Sequence, residues 1–327
     1  MSDAADEVDV AEDSDAGIDD ADPETAESGA AVPDAAEPDT AVEQPTAEAR
    51  DPSDMPEVDD SRTERAAQET PRGLPLRVQN LEKFYGGITA VDGVSFEVEE
   101  GSLTGLIGPN GAGKSTTFDC ITGTTEPDGG TVLFEGDDVT GLSAHEIAQR
   151  GLVRTFQIAR ELEEMTVMEN LMLAPRGQSG EKLVNAVTPG LRDDVVEQET
   201  TVRDDAWEML EFFEIDHLAH EEAGNLSGGQ RKLLELSRAL MVDPDVLLLD
   251  EPFAGVNPSL EEKLLDRIHE LREEGYTFLL VEHDMDLIME HCEHIIVMHQ
   301  GKKLAEGDAE DIKGNEQVVD AYLGENV

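Results

Sequence analysis

From Leu74 onward, apolar and polar positions fall into short segments of definite period. LRVQNL (Leu76 to Leu81) and VSFEVEE (Val94 to Glu100) alternate at every second residue, which predicts strands with one buried face. Ser102 to Ile107 reads as a third strand that feeds a glycine-rich loop, and Ser115 to Thr122 as a helix stopped at Gly123. A hairpin-like segment follows around Thr131 to Val139. Two capping boxes, Ser143 with Glu146 and Thr166 with Glu169, each predict the start of a short helix. From about Gly177 to Glu221 the chain is polar, with Val202, Ala206, Met209, Leu210 and Phe213 at helical spacing.

Two apolar runs, VLLLD (Val246 to Asp250) and TFLLVE (Thr277 to Glu282), read as buried strands. Between them lies a helix opened by Asn257 and Pro258 and closed by Gly275. Strands alternating with helices predict a largely parallel sheet covered on its faces by helices. The polar helical stretch then reads as a subdomain inserted between two halves of a nucleotide-binding fold.

Residues 1–72 break this pattern. They contain no Phe, Trp, Tyr or Leu and hold seven of the fifteen prolines. A segment with so little apolar surface to bury cannot offset the cost of ordering it, so a disordered acidic tail is expected there, serving solubility or binding a partner.

Charge extends the picture to the whole chain. The tail has 24 acidic and 4 basic side chains, net −20, and the other 255 residues carry the remaining −33 of the formal −53. The body is therefore acidic in its own right, a surface that resembles those of proteins adapted to high salt, where repulsion among carboxylates is screened. Such a charge argues against a nucleic-acid partner. Only Cys120 and Cys292 are present, which suits a reducing cytosol. No apolar run reaches the roughly 18 residues of a membrane helix, and no secretory signal is visible at the N-terminus.

The chemistry sits at the ends of the predicted strands. Gly108, Pro109, Asn110, Gly111, Ala112, Gly113, Lys114, Ser115 and Thr116 spell GPNGAGKST, a match to G-x-x-x-x-G-K-[ST] between a strand and a helix. Glycines let backbone N–H groups wrap around phosphates, aided by the positive end of the following helix. Lys114 is expected to reach the β- and γ-phosphates, and the Ser115 hydroxyl to ligate Mg2+. At the end of VLLLDE, Asp250 is expected to hold the same metal and Glu251 to polarise the attacking water. His291, Cys292, His294 and His299 cluster in sequence, but their spacing fits no tetrahedral zinc pattern.

Together with LSGGQ (Leu226 to Gln230), these segments make residues 75–324 resemble an ABC-type ATPase subunit. The resemblance implies an α/β P-loop NTPase fold: a mixed sheet core, an N-terminal antiparallel β subdomain, and a helical subdomain over about 158–241 of an ATPase domain spanning 73–327. It implies ATP as the nucleotide, with Ser227, Gly228, Gly229 and Gln230 gripping the γ-phosphate held by a partner subunit. Tyr85 occupies the position of the aromatic that stacks on adenine, with Phe84 as the other candidate. Gln157 matches a glutamine that touches Mg2+ or water and opens the surface facing the membrane partner. His283 matches a histidine that hydrogen-bonds the γ-phosphate. Asn257 stands where many members of the family have aspartate, and it could cap its helix as well as contact the opposite subunit.

RTFQIARELEEMTVMENLMLAP, AGNLSGGQ, DEPFAGVNP, EHDM and VVDAYLGE look like the ATPase subunit of branched-chain amino-acid importers. That resemblance implies a peripheral subunit on the cytoplasmic face of the membrane. Its partners would be integral membrane permease subunits, a second ATPase subunit that is identical or related, and, indirectly, an extracytoplasmic substrate-binding protein. ATPases serving lipopolysaccharide export share part of the pattern, so another cargo remains open, as does a non-transport ATPase acting on DNA or ribosomes.

Overall fold

A computed structural model describes residues 73–155, 162–176 and 191–323, with the side chains of 191–194 and 323 left aside. The expected acidic tail, Gln157, and parts of the expected helical subdomain lie outside the described residues.

The chain begins with β1 (Leu76–Tyr85) and β2 (Ile88–Val98), an antiparallel hairpin turning at Gly86 and Gly87. Both strands are longer than alternation predicts, because the hairpin tip carries exposed side chains, including Phe84, Tyr85 and Ile88, that blur the period. Then come β3 (Leu103–Ile107), α1 (Lys114–Ile121), β4 (Gly129–Phe134), β5 (Asp137–Asp138), α2 (Ala144–Ala148) and β6 (Leu152–Arg154). Helices α3 (Val167–Met172), α4 (Leu191–Phe212) and α5 (Gly228–Leu240) follow, the last two separated by short 3-10 turns. The remainder alternates: β7 (Val246–Asp250), α6 (Pro258–Glu273), β8 (Thr277–Val281), α7 (Met285–His291), β9 (His294–His299), β10 (Lys302–Gly307), α8 (Ala309–Lys313) and α9 (Glu316–Leu323).

Two sheets result. One is antiparallel with order β2-β1-β4-β5, and the other has order β10-β9-β3-β8-β7-β6, parallel except for the β9–β10 pair. The larger sheet is buried on both faces. Leu247, Leu249, Phe278 and Leu280 point into a core shared with α5, α6 and α7. Val246, Leu248, Leu279 and Val281 point into a second core between the sheets, with Phe118, Cys120 and Ile121 of α1. Continuous apolar runs are what such two-sided burial demands. Each fully buried leucine or phenylalanine contributes about 1.5–3 kcal/mol.

Local signals operate where the sequence places them. Ser143 and Thr166 both accept from the N–H three residues on while Glu146 and Glu169 reach back, completing both capping boxes. Helix α4 buries Val202, Ala206, Leu210 and, just beyond it, Phe213. Strand β6 has no sequence signature, because three residues are too few for a period; its pairing with β7 defines it. Among the described residues no helix is long and apolar enough to cross a membrane.

Candidate functional site

Strands β3, β8 and β7 lie side by side and parallel, with Leu106 opposite Val281 and Val281 opposite Asp250. Their C-terminal ends therefore open on one sheet edge, the usual place for ligands in parallel sheets. The glycine-rich loop, the Asp250–Glu251 pair and the Glu282–His283 pair all leave from that edge.

The loop from Gly108 to Gly113 is pressed against its neighbours. A Cβ at Gly108, where φ is 155°, would stand 2.2 Å from the Met298 carbonyl oxygen, and one at Gly113, φ 103°, 2.4 Å from that of Ala90. Only glycine fits both places. Gly113 is also the N-cap of α1 and supplies no side-chain acceptor, so the first N–H groups of the helix are left for an anion. Lys114 is buried and folds back, its Nζ donating to the carbonyls of Gly108 at 2.6 Å and Pro109 at 3.2 Å. Asn110, Gly111 and Ser115 are exposed, Thr116 is half-buried, and Pro109 and Ala112 are buried.

Asp250, 1% exposed, does not stand alone. Arg154, at the end of β6, donates from one guanidinium nitrogen to Asp250 Oδ2 and from the other to Asp119 Oδ1, each at 2.6 Å. The guanidinium also lies 5.6 Å from the centre of the Phe118 ring. Burial works against the Arg154 charge, but the hydrogen bonds to Asp119 and Asp250, and their charges, more than restore it, so its pKa rises. Sequence reasoning missed Arg154 and Asp119; the only signal was a cation in RTFQ at the end of an apolar run.

Glu251 begins the loop after β7 with φ 48°, and its N–H donates to the Val281 carbonyl at 3.0 Å. His283 projects outward, its side chain 66% exposed. Between them sits Glu282, 2% exposed, which sequence reasoning also passed over. Its Oε1 accepts from the Phe253 N–H at 3.1 Å and its Oε2 from the His283 N–H at 3.3 Å. Burial raises the Glu282 pKa, with Glu251 adding to the rise, while the two N–H donors and His283 oppose it.

Tyr85 and Phe84 are both exposed at the hairpin tip, and Lys83 Nζ stands 5.5 Å from the Tyr85 ring centre. The structure thus leaves both aromatics available to a flat ligand. Ser227 caps α5 with Gln230 in a third capping box. The N–H groups of Gly228 and Gly229, in the first turn of that helix, have no intrahelical acceptor. Ser227, Gly229 and Gln230 line a depression of about 420 Å³ that they share with Asn257, Ser259 and Lys263. None of residues 108–116 lines it. Asn257 does cap α6, accepting from the Leu260 N–H at 3.0 Å. His291 pairs with His269 at 3.1 Å and His294 with Glu306 at 2.9 Å, so those rings are engaged in packing the C-terminal elements.

Comparison with known proteins follows the same lines. The profile of the family described as "ABC transporter" matches residues 91–254, and one described as "Branched-chain amino acid ATP-binding cassette transporter" matches 302–327. A probable branched-chain amino acid transport ATP-binding protein, LivG, of Archaeoglobus fulgidus is 47% identical over 249 residues, 76% of this chain and 95% of the relative. The high-affinity branched-chain amino acid transport ATP-binding protein BraF of Pseudomonas aeruginosa is 42% identical over 253 residues, 76% of this chain and 98% of its own. Among solved structures, a nucleotide-free ATP-binding cassette from an ABC transporter superposes with a TM-score of 0.66 at 39% identity, covering 76% of this chain and 99% of that one. The ADP conformation of another such cassette gives 0.65 at 38%, covering 77% and 99%.

Proposed function

We propose that this chain, which belongs to the ABC transporter family of ATPases, is the engine of an importer of branched-chain amino acids, mounted peripherally on the cytoplasmic face of the membrane. It binds and hydrolyses ATP. The cargo reading rests on one observation: relatives named for branched-chain amino-acid transport align with it at 40–47% identity over 95–97% of their length.

The loop amides and Lys114 hold the phosphates, and Tyr85 or Phe84 stacks on the base. The Ser115 hydroxyl and the Asp250 carboxylate are hard oxygen donors of the kind Mg2+ takes. Arg154 engages Asp250 Oδ2 and so holds the carboxylate in place. Gln157 is the third candidate ligand. When bound, the metal neutralises charge on the β- and γ-phosphates. Glu251 orients and deprotonates the attacking water, and His283 hydrogen-bonds the γ-phosphate.

A complete site takes the loop of one subunit and Ser227 to Gln230 of another, a reading supported by the depression at Ser227, Gly229 and Gln230, which no residue of 108–116 lines. That second ATPase is identical or related. Closure of the pair around ATP, and reopening after hydrolysis, drives integral membrane permease subunits, with an extracytoplasmic binding protein delivering cargo. The acidic body we read as adaptation to high salt, and it leaves nucleic acid out of the partner set.

Isolation of the assembly in mild detergent tests this. Permease subunits are expected to co-purify, and ATP turnover to rise when the binding protein carries leucine, isoleucine or valine. Turnover indifferent to those three amino acids, yet stimulated by another solute, would overturn the cargo. Hydrolysis at full rate by a strict monomer would overturn the shared site.

A further inference from the structure

We propose that Glu282 is a positioning residue that holds His283 and the Glu251 loop in one register, so that the phosphate-sensing ring and the water-activating carboxylate move as a unit. The inference deepens the site reading above and rests on it.

A carboxylate placed 2% exposed at the end of a core strand requires partners, because burying an uncompensated charge is costly. Glu282 finds them in two directions. Oε1 reaches across to the Phe253 N–H, two residues beyond Glu251. Oε2 turns back to the His283 N–H and stands 3.4 Å from His283 Nδ1. A second tie runs parallel, from the Glu251 N–H to the Val281 carbonyl. The segment after β7 is therefore sewn to the last residue of β8 and to the residue that follows it, the second time through a side chain.

The Glu251 backbone gives that stitching a purpose. Its φ of 48° lies in the left-handed region, which a residue with a Cβ enters at a cost and keeps only when its surroundings hold it there. The Phe253–Glu282 bond is one of those holds. On the other side, a carboxylate oxygen beside Nδ1 repels a lone pair and favours hydrogen on Nδ1, which anchors the ring there; Nε2 donates to a phosphate oxygen when it carries a proton as well. One buried side chain thus sets the loop of the base and the proton arrangement of the histidine.

Glu282→Gln separates these roles in the full-length chain. The amide oxygen can still accept from Phe253 N–H, but the amide nitrogen then faces the His283 N–H, donor against donor. The expected result is a kcat lower by about ten- to a hundredfold, the cost of misplacing a reacting group by roughly 1 Å. KM for ATP should stay within about twofold. Nitrogen NMR of histidine-labelled protein without nucleotide, assigned with His283→Ala, should show the His283 ring leaving the Nδ1–H form, while exchange of the Phe253 amide stays slow. In the His283→Ala background, Glu282→Gln should add little further loss.

Wild-type kcat and an unchanged ring in Glu282→Gln would overturn the proposal, as would the same fold-loss whether or not His283 is present. Should the glutamine variant not fold, Glu282→Asp, one methylene shorter, puts the same questions, with Phe253 exchange now faster. Glu251→Gln and His283→Ala at wild-type turnover would instead sink the site reading, and the ring and amide signals would still decide the Glu282 contacts.

Discussion

Arg154→Met tests how much of the fold hangs on one guanidinium. The substitution keeps most of the aliphatic volume and removes the cation, so the Asp250 carboxylate, 1% exposed, is left in the core without its partner. Breaking a buried ion pair from one side costs about 3–5 kcal/mol, because the remaining charge stays desolvated. The lower end applies here, since Arg154 retains 14% exposure and Asp119, its second partner, is 31% exposed. A loss of about 3 kcal/mol would consume roughly a fifth to three-fifths of a typical domain's 5–15 kcal/mol. With an m-value of about 3 kcal/mol/M it would move the urea midpoint by about 1 M. The second arm is Asp250→Asn in the Arg154→Met background. Removing the orphaned charge should recover part of the loss, giving a coupling of about 1–3 kcal/mol. Equal urea midpoints for wild type and Arg154→Met, or a double variant no more stable than strict additivity allows, would refute the claim that Arg154 is the countercharge of Asp250.

Other expectations follow from the same geometry. Glu251→Gln should bind ATP as before and hydrolyse it on the order of a hundredfold more slowly, read by equilibrium binding and phosphate release; unchanged turnover would remove the base assignment. Gly108→Ala puts a Cβ 2.2 Å from a backbone oxygen and should cost about 1–3 kcal/mol in urea melts with weakened nucleotide affinity; a melt within about 0.5 kcal/mol of wild type contradicts the packed-loop argument. The excess of acid over base should make melting temperature climb between about 0.1 M and about 1 M KCl, as the Debye length shrinks from about 10 Å to about 3 Å, and a flat response would leave the acidic surface unexplained. Glu146, held low mainly by the Ser143 hydroxyl, and Glu169, mainly by the Thr166 N–H, have folded pKa values below their ordinary 4.5. They therefore stabilise the fold above that value and lose this as pH falls through the depressed values, so Glu146→Gln with Glu169→Gln should flatten the acid limb of the stability curve below about pH 4.5.

The elements most legible in the sequence are those whose cause is local. A capping box spans three residues, and both Ser143–Glu146 and Thr166–Glu169 start helices where the letters put them. Strands β7 and β8 each carry a run of four apolar residues because both faces of the sheet are covered, and the glycine loop announces itself since no other residue fits at Gly108 and Gly113. Boundaries fared worse where water intervenes: β1 and β2 continue into an exposed hairpin tip whose side chains follow no burial period.

What the sequence hid are contacts made by register rather than by neighbours. Arg154 meets Asp119 across 35 positions and Asp250 across 96, and Glu282 meets Phe253 across 29. No spacing rule reaches that far; Arg154 meets Asp250, and Glu282 meets Phe253, because β6 lies beside β7 and β7 beside β8 in parallel register, while Asp119 comes from α1. Each nonetheless left a trace, a charged residue ending an apolar strand: Arg154 after LeuVal, Asp250 after four apolar residues, Glu282 after another such run. Three adjacent strands that end in charge at one sheet edge cannot all face water, since Asp250 and Glu282 are buried there. Arg154 meets the first of these carboxylates with a guanidinium, and two N–H groups meet the second. The Arg154 pair joins β6 to β7, whereas Glu282 ties together backbone N–H groups of the two loops that follow β7 and β8. A side-chain ion pair between strands and a carboxylate that ties two loops should answer differently to substitution, Arg154→Met as lost stability and Glu282→Gln as lost turnover.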